Sequence, residues 1–117
     1  MLNMEVNGQN IQITLYENPS AQEFKKLLEE GTLTLEMKDY AHMEKFASIG
    51  RNLPRNDRWV TTRPGDLILS EGNLLVIYYA PNTWNFTRLG KVENLSEDEL
   101  KNVLGKGNIK ATLTWCA

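Results

Sequence analysis

Residues able to do chemistry gather in two stretches of the chain. The first runs from Tyr78 to Gly90, "YYAPNTWNFTRLG", and sets Tyr78, Tyr79, Trp84, Phe86 and Arg88 around an Ala80-Pro81-Asn82-Thr83 turn. Rings offer a flat apolar floor, and a guanidinium offers several donors in a fixed fork. Such a stretch could hold a small ligand or a short peptide. It could equally be core, because large rings contribute much buried area and an arginine among them can snorkel or pair with a carboxylate. Both readings stay open at this level. The second stretch carries Tyr40, His42, Met43, Glu44, Lys45, Phe46, Arg51 and Arg55. It lies in a segment, Asp39 to Arg58, that shows no hydrophobic period. An irregular run of about twenty residues is unusual in a compact domain and often functional. Tyr40, Glu44, Lys45 and Phe46 are therefore expected to wall a pocket lined by Tyr79, Trp84, Phe86 and Arg88. The bland alternative is a solvated connection.

Other chemistry lacks its residues. His42 is the only histidine, and no cysteine or second histidine stands near it, so no metal site is expected. No nucleophile elbow, phosphate loop or zinc-protease motif occurs. Cys116 has no base close in sequence. No cofactor is expected, and no catalytic residue is singled out. Arg51, Arg55 and Arg58 fall in "RNLPRNDR", but Asp57 dilutes them, and the net charge is −2. Nucleic acid is not an expected partner, because phosphate binding needs a basic surplus.

The elements that must position these residues are legible in patches. Asn7-Gly8 is a hairpin signal, and Ile11, Ile13 and Leu15 alternate after it. Asn18 and Pro19, or Ser20 with Glu23, open a helix whose apolar stripe is Ala21, Phe24, Leu27 and Leu28. "TLTLEMK" alternates cleanly. Strands resume at Trp59–Thr62, "LILS" and "LLVIYY", the last apolar on both faces and so expected to be covered on both. "WNFTRLGKV" then runs back after the turn. If it pairs with "LLVIYY", Tyr79 faces Trp84, Ile77 faces Phe86 and Leu75 faces Arg88, with Glu44 or Asp39 the natural partner of Arg88. Ser96 and Glu99 form a capping box for a second helix, with Leu95 and Leu100 as its staple. "NIKATLTW" closes the chain. Seven or eight short strands with two helices in 117 residues argue for a barrel or sandwich.

This order of elements, together with certain residues, resembles the prokaryotic cyclophilin-like fold family. The matching residues are Asp39 with Glu44-Lys45-Phe46, Leu53-Pro54, Pro64-Gly65-Asp66, "NLLVIYY", Trp84 and "FTRLGKV". The resemblance implies a mostly β fold: a closed cyclophilin-like β-barrel of about eight strands with two capping helices, spanning residues 1–117 as one domain. It also implies kinship with peptidyl-prolyl isomerases. Their Phe-His-Arg and Phe-Met-x-Gln-Gly-Gly runs do not occur here, so fold is expected to carry over more safely than activity. Binding of a small molecule or short peptide is the favoured function, and prolyl isomerisation with an atypical site is the alternative. An exposed aromatic patch would also suit a protein partner. A single cysteine, no basic start leading into an apolar run, and no stretch of roughly 18 apolar residues point to a cytoplasmic protein with no membrane association.

Overall fold

The computed structural model describes residues 1–116. Asn7 and Gly8 both take positive φ, 53° and 76°, and turn β1 (Leu2–Val6) into β2 (Gln9–Leu15) as their types predict. Helix α1 (Pro19–Glu29) is capped by Asn18, whose side chain accepts from the Ala21 N–H at 2.8 Å. β3 (Leu33–Tyr40) and β4 (Glu44–Ser48) form the next hairpin, followed by the short strand β5 (Arg58–Thr61). Then come β6 (Asp66–Ser70), β7 (Leu74–Tyr78), β8 (Thr83–Val92), α2 (Glu97–Leu104) and β9 (Ile109–Trp115). α2 carries the complete Ser96/Glu99 capping box.

The strands pair in the order β2-β1-β9-β3-β4-β7-β6-β8, and β8 returns to β2, so eight strands close an antiparallel barrel. The seam is narrow. Gly90 of β8 lies so close to β2 that a Cβ there would run into the Thr14 carbonyl oxygen. The barrel interior holds Leu2, Met4, Ile11, Ile13, Met37, Leu67, Leu75, Ile77 and Leu113, all buried. Phe24 and Leu28 of α1 and Leu100, Val103 and Leu104 of α2 join the same cluster. α1 meets the far end of β9, where Lys25 sits over the Trp115 ring, whereas α2 leads into its start. The helices therefore plug opposite ends. Among the described residues, no helix is long and apolar enough to cross a membrane.

Two expectations are corrected. The segment from Asp39 to Arg58 is not one irregular loop, because residues 44–48 are the barrel strand β4. Its alternation was hidden because one inward position holds a lysine, Lys45, beside the small Ala47. The irregular part is confined to residues 49–57, and it is tied down. The Asn56 N–H donates to Thr87 Oγ1 at 2.9 Å, and Thr87 donates to Asp57 at 2.7 Å. The second correction concerns β7 and β8, which do not pair. β7 is held between β4 and β6, so Ile77 faces Lys45 and Leu67 rather than Phe86. Arg88 faces Ile68, and Trp84 faces Val60 of β5. The turn at 80–83 is not a hairpin turn. Its polar groups serve another segment: the Asn82 N–H donates to Thr62 Oγ1 at 2.9 Å, and the Asn82 carbonyl accepts from the Thr62 N–H.

"LLVIYY" is covered on both faces, as its composition demands. Leu75 and Ile77 point into the barrel. Val76 and Tyr78 point outward and cluster with Ile68 and Phe86. That outer cluster is packed against by Met43, Phe46, Val60 and Leu74, and it forms the floor of the site described next.

Candidate functional site

β8 is longer than its barrel partners need. Its first residues, Thr83–Phe86, leave the barrel and pair with β5 alone as a two-stranded ribbon. The ribbon stands beside the outer face of β4, β6 and β7, and between them lies a recess of about 490 Å³. Phe46, Val76, Tyr78 and Phe86 make its floor, and Tyr40, Met43, Leu74 and Trp84 rise around it. Tyr40 stacks edge-on against Phe46, with centroids 6.3 Å apart at 85°. Tyr78 and Phe86 meet at 5.7 Å. The wall rings are held in water, Tyr40 57% and Trp84 58% exposed. Trp84 is braced from behind by Trp59 of β5, 5.5 Å between centroids.

Polar groups are few in this groove. Glu44 is only 8% exposed, although it lines the recess. Its cross-strand partner is Tyr78, whose hydroxyl accepts from Asn82 Nδ2 at 3.2 Å. Burial raises the Glu44 carboxyl above its ordinary value; the Tyr78 hydroxyl opposes this in part, and the charge of Asp39 adds to it. Burial also pushes the Tyr78 phenol well up, so it stays protonated and able to donate.

Five of the eight residues expected to form a pocket converge here: Tyr40, Glu44, Phe46, Trp84 and Phe86. The other three do not. Lys45 is 0% exposed and faces the barrel end under α2. Its ammonium donates to the Gly105 carbonyl at 2.9 Å and the Gly107 carbonyl at 2.5 Å, and it pairs with Asp39 at 3.1 Å. Tyr79 completes this cluster, with its hydroxyl donating to Asp39 and its ring 5.5 Å from the Lys45 nitrogen. Burial tends to raise the Asp39 carboxyl, but the bonds from Tyr79 and Lys45 and the Lys45 charge outweigh it and leave it below the usual value.

Arg88 does not line the recess; its side chain, 42% exposed, lies in a separate depression with Thr61, Arg63 and Asp66. It donates to the Thr61 carbonyl at 3.2 Å and stands 4.0 Å from Asp66. Its carboxylate is thus Asp66, held loosely, and not Glu44 or Asp39. Lining residues outside the expected set are Met43, Ser70, Glu71, Leu74, Val76, Tyr78 and Asn82. Tyr78 and Val76 follow from the two-faced apolar character of "LLVIYY" once its outer face is known to be a floor.

The cyclophilin-like family model matches residues 4–114. The chain belongs to the cyclophilin-like family. Among solved structures, the cyclophilin-like chain is similar to the structure of McbB in complex with tryptophan, with a TM-score of 0.68 and 15% identity. The match covers 97% of this chain and 44% of that one, so this chain spans less than half of McbB. At that identity the likeness is one of fold. A comparison with curated proteins finds no match.

Proposed function

We propose that this protein is a binding module, and that the groove between the β5–β8 ribbon and the outer barrel face holds a small molecule or a short peptide. One observation carries the reading: Tyr40 and Trp84 stand more than half exposed on opposite strands around an apolar floor. Large rings held in water around a concave apolar surface mark a recognition site more often than a packing accident. The recess falls within the ordinary size range of small-ligand sites. McbB, similar in fold, is described in complex with tryptophan, a small flat molecule, which fits a ligand of that kind. On this reading the chain acts as one domain, and its single cysteine suits the cytoplasm.

The alternative, prolyl isomerisation, wants a guanidinium aimed at the amide nitrogen. Among the described residues no arginine lines the groove, and Arg88 donates to the Thr61 carbonyl instead. Binding is therefore the better supported reading. It is tested by screening aromatic metabolites and Pro-containing peptides for thermal stabilisation, then measuring hits by calorimetry on wild type and Trp84→Ala. Retained affinity in Trp84→Ala for every hit would place the site elsewhere.

A further inference from the structure

The charge of the groove is one-sided. Its charged side chains are Glu44 and Glu71, with no lysine, arginine or histidine among the lining residues. Glu44 is the unusual one. A carboxylate this deeply buried is costly unless a cation or several donors meet it. Among the described residues no cationic nitrogen comes within 4.0 Å of it. The nearest lysine in sequence, Lys45, points to the opposite face of β4 and is committed to Asp39 and two backbone carbonyls. Asp39 acts on Glu44 only as a further negative charge. If the fold needed nothing more than a partner for the Tyr78 hydroxyl, a neutral glutamine would supply it without the cost of burying a charge.

Tyr40, Phe46, Tyr78, Trp84 and Phe86 line the same recess, and aromatic faces are negative at their centres and attract cations, Trp and Tyr most strongly. A buried carboxylate at the base of a ring-lined groove complements a ligand that carries a positive head on an apolar body. Resting on the reading of the groove as a binding site, we propose that its ligand is an organic ammonium, whose cationic nitrogen pairs with Glu44 while its apolar body lies between Tyr40 and Trp84. The Tyr78 hydroxyl, itself held by Asn82 Nδ2, then steadies the carboxylate, and the ammonium supplies the missing counter-charge.

The test is calorimetry with phenethylamine and its neutral analogue 2-phenylethanol on wild type, Glu44→Gln and Trp84→Ala. The amine should bind wild type at least about tenfold more tightly than the alcohol, the size expected of one charge-assisted hydrogen bond. In Glu44→Gln that preference should fall to within about threefold while the alcohol binds as before. Trp84→Ala should weaken both ligands. Equal affinity of wild type for the two ligands overturns the ammonium assignment and leaves the groove intact as a site. Failure of both ligands to bind overturns the ammonium assignment, while the groove reading stands or falls with the broader screen and Trp84→Ala. The wild-type comparison needs no substitution, so it decides even if Glu44→Gln folds poorly. Adding acetyl-Phe-Lys-amide separates the two sources of such a head. Tighter binding of the dipeptide marks a lysine side chain in a peptide, and tighter binding of phenethylamine marks a free amine.

Discussion

Lys45 and Glu44 are neighbours in sequence with opposite fates, because successive residues of a strand face opposite sides. Lys45 enters the barrel end and finds three acceptors there. Truncating it leaves the Gly105 and Gly107 carbonyls without their donor and Asp39 without its cation. Lys45→Ala should therefore lose about 3 kcal/mol or more in urea unfolding, and a loss under about 1 kcal/mol would contradict the clamp. The two carboxylates should titrate with opposite sign. Asp39 is held below its ordinary 3.8, so its contribution is complete above that pH and is lost as pH falls toward the lowered value. Asp39→Asn should flatten the acid limb of the stability curve. Glu44 is held above its ordinary 4.5, so stability falls as pH rises from there through the raised value. Glu44→Gln should match wild type in melting temperature below pH 4.5 and exceed it at neutral pH. The type of each of these residues was readable as chemistry, but the side it faces was not. Lys45 looked like a solvated wall residue because its acceptors come from a turn some sixty positions away.

At the scale of elements, the ribbon of β5 and the outer half of β8 is the part of the fold that forms one wall of the proposed groove. It owes little to the barrel core, so changes on its exposed face should separate binding from stability. Trp84→Ala should stay within about 0.5 kcal/mol of wild type in chemical unfolding and weaken ligand binding by about tenfold or more. A large stability loss with unchanged binding would reverse that assignment. Helices and caps were legible because their signals are local: Asn18, Pro19, Ser96 and Glu99 lie within a few residues of what they cap. Strand pairing was not. The β7–β8 segments look like a hairpin, yet β7 spends both edges on β4 and β6, and nothing between Leu74 and Val92 signals that. β4 was missed for a related reason, since the period-two pattern is read from apolar residues and this strand turns a lysine inward.

At the scale of the whole molecule, the barrel holds the outer face of β4, β6 and β7 rigid enough to serve as a floor, and that depends on closure between β2 and β8. Gly90 sits at that seam, where any side chain would press on the Thr14 carbonyl. Gly90→Ala should cost about 1–3 kcal/mol and increase amide exchange along β2 and β8 before the rest of the barrel; an unchanged exchange pattern would mean the seam is not under such constraint. The closed barrel itself was foreseeable from strand number and family resemblance, while the candidate groove on its outside depends on a ribbon that no local signal announces. The central claim is that this outer groove is where ligand binds. Amide chemical-shift mapping by NMR tests it most directly, using whichever aromatic metabolite, amine or peptide stabilises the protein. Shifts should concentrate at residues 40–46, 74–78 and 82–86 and spare Gly105 and Gly107, the partners of the Lys45–Asp39 cluster. Shifts centred on Arg58, Arg88 and Asn18, which line a separate depression, would contradict that claim.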